Sequence, residues 1–116
     1  MIKVKNLSKS FDNQLVLDNI SIEIKKGDFI SIIGPSGAGK TTFLNIIGTI
    51  DGYDKNNDTS ILFNEIDITK LNDDKLSIFR NKNIGFIFQF HQLLPELTAK
   101  ENILLPAMIG KFDEED

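Results

Sequence analysis

Apolar and polar positions alternate near the start of the chain. Ile2 and Val4, and later Ile20, Ile22 and Ile24, are each separated by a polar residue. Successive side chains of a strand point to opposite faces, so this period of two is typical of strands with one buried and one wet face. The pattern predicts antiparallel strands.

Two later segments are apolar at nearly every position. FISII (29–33) follows a predicted KKGD turn (25–28), and IGFIF (84–88) lies farther along the chain. Near-continuous apolar runs are expected of strands covered on both faces, as in parallel sheets. We therefore expect both segments to be strands, with 29–33 central in an α/β sheet.

Three other segments predict helices. TTFLNIIGTI (41–50) predicts a helix, and LNDDKLSIFR (71–80) predicts a short amphipathic one. TAKE has the spacing of a capping box, with Thr98 as the cap and Glu101 reaching back to it. The helix after Thr98 is expected to bend or end near Pro106. The apolar stripe of the first helix comprises Phe43, Leu44, Ile46 and Ile47.

Composition narrows the class of protein. The 116 residues suit a single small domain, and a net charge of −4 with interspersed lysines argues against a nucleic-acid partner. There is no cysteine, and no apolar run approaches the length of a membrane span or a leader peptide. The segment 51–60 reads as a polar surface loop, and 61–65 as part of a peripheral hairpin.

The segment GPSGAGKT (34–41) carries the candidate chemistry. It matches G-x-x-x-x-G-K-[ST] between a predicted strand and a predicted helix, a context in which backbone N–H groups converge on phosphates. Lys40 is expected to reach the β and γ phosphates, Thr41 to offer its hydroxyl to Mg²⁺, and Thr42 to donate to a phosphate oxygen. The predicted contacts are Gly34, Pro35, Ser36, Gly37, Ala38, Gly39, Lys40, Thr41 and Thr42. The competing interpretation is a glycine-rich turn with an incidental lysine.

With this loop, the IGFIFQ stretch and FHQLLPELTAKENILLP (90–106), the chain resembles the nucleotide-binding subunits of ABC transporters. The third stretch is similar to the subgroup that powers lipoprotein release from the bacterial inner membrane, with macrolide exporters next. The resemblance implies a partial P-loop NTPase core of the α/β class, an antiparallel β-subdomain and the start of a helical subdomain. Residues 1–116 would be the N-terminal part of one ATP-binding domain, with its phosphate loop at 34–42, its glutamine loop near 89 and its helical part at 90–110.

The resemblance also assigns roles outside the loop. Phe11 takes the aromatic position that stacks on adenine, with a core phenylalanine as the alternative. Gln89 takes the position of the glutamine that ligates Mg²⁺ and senses the γ-phosphate, with a solvated loop residue as the alternative. The family's catalytic histidine lies farther downstream, so His91 is interpreted as structural or superficial. The segment 90–108 either begins a groove for a membrane subunit or forms internal core.

Several family elements are missing from the 116 residues. Four apolar residues followed by Asp-Glu, the L-S-G-G-Q signature and the later histidine do not occur, and ILFNE (61–65) has the wrong order. No catalytic residue is therefore assigned, and the chain is interpreted as the N-terminal half of a subunit that binds but does not hydrolyse ATP. We also expect marginal stability or aggregation. The terminal DEED (113–116) is interpreted as a solvated acidic end.

The hairpin departs from the family at two positions. Glycines are usual where this chain has Thr59 and Glu65, which puts the predicted hairpin geometry in doubt, although Asn64 tolerates the left-handed region. The nucleotide site does not depend on this hairpin.

The implied function is that of an ATP-binding subunit of an ABC transporter, with ATP and Mg²⁺ as cofactors. Its expected partners are integral-membrane permease subunits and a second copy in a head-to-tail dimer, at the cytoplasmic face of the inner membrane. The alternative is a non-hydrolysing ATP-binding or interaction module. A GTPase is disfavoured because Ile84 follows Asn81-Lys82-Asn83, and a nucleotide kinase because Arg80 is the only arginine.

Overall fold

The computed structural model describes residues 1–56 and 58–110, so the acidic end at 113–116 lies outside the described residues. The described chain forms two compact units, which divide between Asn72 and Asp73. The first contains strands β1 (Ile2–Phe11), β2 (Gln14–Ile24), β3 (Ser60–Phe63) and β4 (Ile66–Asp67) and helix α1 (Lys40–Ile47). The second contains helices α2 (Asp73–Asn83) and α3 (Ala99–Gly110). Among the described residues, no helix combines the length and apolar character needed to cross a membrane.

The predicted antiparallel strands are confirmed. β1 pairs with β2 and β3, β3 pairs with β4, and the four-stranded order is β2-β1-β3-β4. Both long strands extend well beyond the residues whose alternation predicted them. Asp12 and Asn13 join them with φ of 46° and 65° between the paired residues Phe11 and Gln14, as in a two-residue type I′ turn.

Bulges explain why the alternation does not run through the whole hairpin. Val4 and Leu7 are both buried although they are three positions apart, and the register shifts between them. Asn6, at φ 51°, lies at this shift, and its N–H donates to the Ser21 hydroxyl at 2.9 Å. One extra residue inverts the parity of a strand, so the apolar period of two breaks there without ending the strand.

The buried apolar side chains of the first unit come mainly from the sheet and from α1. Phe43 and Ile46 are buried, whereas Leu44, on the predicted apolar stripe, is exposed. Burying one stripe of a short helix against a sheet is the usual way in which such a helix is stabilised. The fully or largely buried apolar side chains of this unit are Val4, Leu7, Leu17, Phe43, Ile46, Ile61 and Ile68.

The two predicted buried strands are the main correction. Neither 29–33 nor 84–88 forms a ladder with any described segment, and Phe29 and Ile87 are 96% and 98% exposed. A strand exists only when a neighbour accepts and donates its backbone hydrogen bonds, so an apolar run is a necessary but not a sufficient condition. The KKGD turn that precedes 29–33 is confirmed, with Gly27 at φ 90° and the Asp28 N–H donating to the Lys25 carbonyl at 3.2 Å.

The peripheral hairpin forms as β3 and β4. Asn64 takes the left-handed conformation, with φ 53°, whereas Glu65 does not. Thr59 is buried, and its hydroxyl lies 2.9 Å from the Asn6 carbonyl oxygen. The doubt about the hairpin is therefore resolved, because asparagine supplies the left-handed turn position and Thr59 gains a hydrogen bond that glycine could not make.

In the second unit, the capping box of α3 is confirmed. The Thr98 N–H donates to Glu101 Oε2 at 2.8 Å, and the Glu101 N–H donates to Thr98 Oγ1 at 3.3 Å. Of the two expectations for Pro106, an ending there is wrong, since α3 continues to Gly110, while a bend stays a prediction. The Pro106 carbonyl accepts a bond from Asn81 Nδ2 at 2.9 Å. Proline removes only one intrahelical donor, so a helix with other support can pass through it.

Candidate functional site

The phosphate-loop segment is followed by α1, as predicted, but the segment before it is not a strand. Gly37 and Gly39 have φ of 79° and 83°, and Ala38 between them keeps a negative φ. Alternation of positive with negative φ is a feature of anion-binding nests, and here the Ala38 N–H donates to the Pro35 carbonyl at 3.2 Å. Convergence of the loop N–H groups on a phosphate stays a prediction.

Helix α1 begins without a side-chain cap. The N-cap residue is Gly39, which has no side chain that could accept a hydrogen bond from the first turn. The first turn contains no acidic residue. The first N–H groups of a helix have no intrahelical acceptor, and together with the helix dipole they favour an anion. Residues 34–38 and Thr41 are exposed, so this positive end is accessible to a ligand.

Lys40 lies at the base of the loop. Its ammonium donates to the Gly34 carbonyl at 2.8 Å and to the Pro35 carbonyl at 2.6 Å. These bonds hold the positive charge beside the start of the loop instead of letting the flexible side chain extend into solvent. The reach of Lys40 to the β and γ phosphates stays a prediction.

Glycine is required at position 39 for a steric as well as a conformational reason. A Cβ on this residue would lie 2.9 Å from Leu17 Cδ2 and 3.0 Å from the Val16 carbonyl oxygen. Contacts this short force a neighbour to move, and φ 83° is strained for any side chain. The loop is therefore pressed against β2, a contact that the sequence motif alone did not reveal.

Phe11 lies at the tip of the β1–β2 hairpin. Its side chain is 45% exposed, and the Lys9 ammonium lies 4.7 Å from the ring centroid. This exposure excludes the alternative of a core phenylalanine, while contact with adenine stays a prediction. The ammonium occupies a cation–π position that was not anticipated from the sequence.

Gln89 and His91 belong to the second unit. Both are exposed and lie outside helices and strands, between α2 and α3. The exposed position agrees with a solvated loop residue and leaves the role of Gln89 toward Mg²⁺ as a prediction. In α3, which covers part of the segment 90–108, no side chain is buried among the described residues, and both the groove and the core interpretation stay predictions.

The residues predicted for Mg²⁺ have suitable chemistry. Thr41 offers an exposed hydroxyl in the first turn of α1, and Gln89 an exposed carboxamide oxygen. Mg²⁺ prefers oxygen ligands and is commonly held by one or two protein groups together with substrate phosphates. In the part of the chain that the structure describes, no group of three or more His, Cys, Asp or Glu side chains lies together as a metal site.

Comparisons with known proteins identify the family. Residues 17–116 match the ABC transporter family. A lipoprotein-releasing system ATP-binding protein LolD from Bacteroides thetaiotaomicron is 51% identical over 110 residues, covering 95% of this chain and 49% of that protein. A macrolide export ATP-binding/permease protein MacB from Campylobacter jejuni is 47% identical over 108 residues, covering 93% of this chain and 16% of that protein.

Solved structures of ABC transporter cassettes have a fold similar to that of this chain. The dimeric structure of MJ0796, a bacterial ABC transporter cassette, superposes with a TM-score of 0.85 at 41% identity, over 95% of this chain and 48% of that one. A post-hydrolysis state of the same cassette, bound to ADP and Pi, gives a TM-score of 0.84. The chain spans about half the length of the LolD relatives that it matches. It therefore belongs to the ABC transporter family and shares, over its described residues, the fold of the family's ATP-binding cassettes.

Proposed function

We propose that this chain binds the triphosphate of ATP through residues 34–42, with Mg²⁺ at Thr41 and Gln89 and adenine on Phe11. The observation that carries the proposal is the uncapped start of α1 behind two left-handed glycines, with the Lys40 ammonium beside it. Backbone donors, a helix dipole and one fixed cation together suit a polyanionic phosphate chain. A solved relative is bound to ADP and Pi, which supports the same ligand class.

Isothermal titration of the 116-residue chain with ATP and Mg²⁺ tests this proposal. Replacing Lys40 by methionine keeps the length of the side chain and removes the ammonium. Because a hydrogen bond to a charged group contributes about 1.5–3 kcal/mol, we expect affinity to fall about ten- to hundredfold. The matched control is Lys26→Met in the exposed turn before residue 29, which should bind ATP as the unchanged chain does. Equal binding by the two variants would contradict a phosphate site at residues 34–42.

We also propose that these 116 residues bind ATP without hydrolysing it. The acidic strand and the signature sequence that would orient water and close the site are not among them. Cleavage of the terminal phosphate requires a positioned water as well as bound phosphates. Phosphate release from this chain should equal the protein-free blank. Release well above the blank, abolished by Lys40→Met, would show that the chain is a self-sufficient ATPase.

For the full-length protein, we propose an ATPase subunit that drives export or release of a substrate at the bacterial inner membrane. The relatives named for lipoprotein release and macrolide export support this assignment, and the dimeric cassette supports a second copy as partner. Membrane permease subunits would anchor the protein to the cytoplasmic face. An affinity-tagged full-length protein, purified from detergent-solubilised membranes of its own cells, should bring down a permease. Recovery only from the soluble fraction, without a membrane protein, favours a separate ATP-binding module.

A further inference from the structure

Strand β2 approaches the phosphate-loop segment unusually closely. Leu17 is only 5% exposed, and its Cδ2 would lie 2.9 Å from a Cβ on Gly39. The Val16 carbonyl oxygen and Cγ1 would lie 3.0 and 3.2 Å from the same Cβ. The backbone at Gly39 therefore lies against two successive residues of β2. Val16 contributes its carbonyl oxygen and its side chain, and Leu17 contributes its side chain.

The two ends of the loop are held differently. The Lys40 ammonium binds the carbonyls of Gly34 and Pro35 at the beginning, while Leu17 and Val16 support Gly39 at the end. A cavity of about 240 Å³ adjoins this second contact and is bordered by Leu17, Ala38, Gly39, Lys40 and Phe43, among others. This cavity provides space into which the backbone at Gly39 can shift if the Leu17 side chain is shortened.

We infer that Leu17 is a positioning residue for phosphate binding, because its side chain sets how far the backbone at Gly39 can recede from the ligand. The inference rests on the proposed function and adds a residue outside the motif to it. Binding depends on donors that are already held in place, since ordering them on binding costs affinity. Phe11 ends β1 beside the turn of the same hairpin, so the β1–β2 hairpin carries both the predicted adenine contact and the contact to the phosphate-loop segment.

Shortening Leu17 tests the inference with two ligands. Leu17→Val removes one methylene and keeps a residue that favours strands, and Leu17→Ala removes the isobutyl group. The probes are ATP with Mg²⁺ and inorganic pyrophosphate, which has no base or sugar. We expect the dissociation constants of both probes to rise by the same factor, about threefold for Leu17→Val and tenfold for Leu17→Ala. The amide resonances of Gly37 and Gly39 should shift in the ligand-free variants.

Leu7→Ala is the matched control. Leu7 is fully buried in β1 and pairs with Ile20, so the substitution removes the same atoms from the same sheet without removing a contact to Gly39. Its stability loss should resemble that of Leu17→Ala, whereas its affinities and loop resonances should match those of the unchanged chain. Affinities are measured at a temperature at which each variant remains folded. If the alanine variants unfold, the affinity of Leu17→Val decides the test.

The possible failures differ from one another. If the unchanged chain binds neither probe, the proposed function is wrong and the inference falls with it. If the unchanged chain binds both, and the Leu17 variants bind as Leu7→Ala does, only the positioning role is wrong. A loss confined to ATP, with pyrophosphate binding unchanged, also overturns it, since Leu17 would then act on the base or sugar.

Discussion

At the scale of single residues, backbone conformation decides what each position tolerates. Asn64 turns the β3–β4 hairpin at φ 53°, and its Oδ1 accepts a bond from the amino group of Met1 at 2.9 Å. The left-handed region costs an ordinary residue about 1–2 kcal/mol. We expect Asn64→Ala to lower the free energy of unfolding by about 1 kcal/mol, measured by urea denaturation.

Two further substitutions separate conformation from hydrogen bonding at this turn. Asn64→Gly loses the amide but takes positive φ without strain, so its stability should lie above that of Asn64→Ala. Glu65→Ala, at the neighbouring exposed position without positive φ, should leave the unfolding midpoint unchanged. If the glycine and alanine variants were equally unstable, the amide bonds rather than φ would control the turn.

At the scale of elements, the start of α3 depends on an ionised carboxylate. Hydrogen bonds from the Thr98 hydroxyl at 2.6 Å and from its backbone N–H lower the pKa of Glu101 below its ordinary value of 4.5. The stabilisation is therefore complete above pH 4.5 and is lost as the pH falls through the lowered pKa. We expect the Thr98 amide to lose protection in that acidic window. The measurement is its hydrogen-exchange rate, compared with the intrinsic rate at each pH.

Glu101→Gln provides the test of this pH dependence. The amide oxygen still accepts from Thr98 but does not titrate, so exchange at Thr98 should no longer change in the acidic window beyond the intrinsic effect of pH. Glu96→Gln, an exposed carboxylate in the preceding loop, is the control and should retain the full response. If Glu101→Gln also retained it, another group would control the helix start.

At the scale of the whole molecule, exposed apolar segments are the main liability. Phe29 and Ile87 are almost fully exposed in segments that read as strands, and Ile33 is 88% exposed. Large exposed apolar surface binds hydrophobic dyes and promotes self-association. We expect the chain to bind anilinonaphthalene sulfonate and to form oligomers as its concentration rises, measured by fluorescence and light scattering.

Replacing Phe29 and Ile87 by serine should lower both the dye fluorescence and the scattering. The control is Ile66→Ser, an isolated exposed apolar residue in β4. It should change neither measurement, because single apolar residues on a surface are common. A monodisperse monomer with a sharp melting transition and no dye binding would contradict the expected liability.

Local signals predicted those features whose causes are local. The capping box between Thr98 and Glu101, the turn at Gly27 and the strand alternation around Ile22 depend on neighbours within a few residues, and each formed. In the phosphate-loop segment, Gly37 and Gly39 take positive φ, which glycine adopts without strain, whereas phosphate binding there stays a prediction. The contact between Leu17 and Gly39 had no such signal, since it joins residues that are distant along the chain.

The sequence by itself determined the family, the motif and the predicted roles of Lys40 and Thr41, because residue types at fixed spacing encode them. The tertiary structure alone decided that residues 29–33 and 84–88 lack ladder partners among the described residues, and that β2 supports the loop at Gly39. The physical reason is that pairing and close packing depend on which segments meet in space. A segment's own pattern records its preference for a neighbour, but the neighbour must be supplied by the fold.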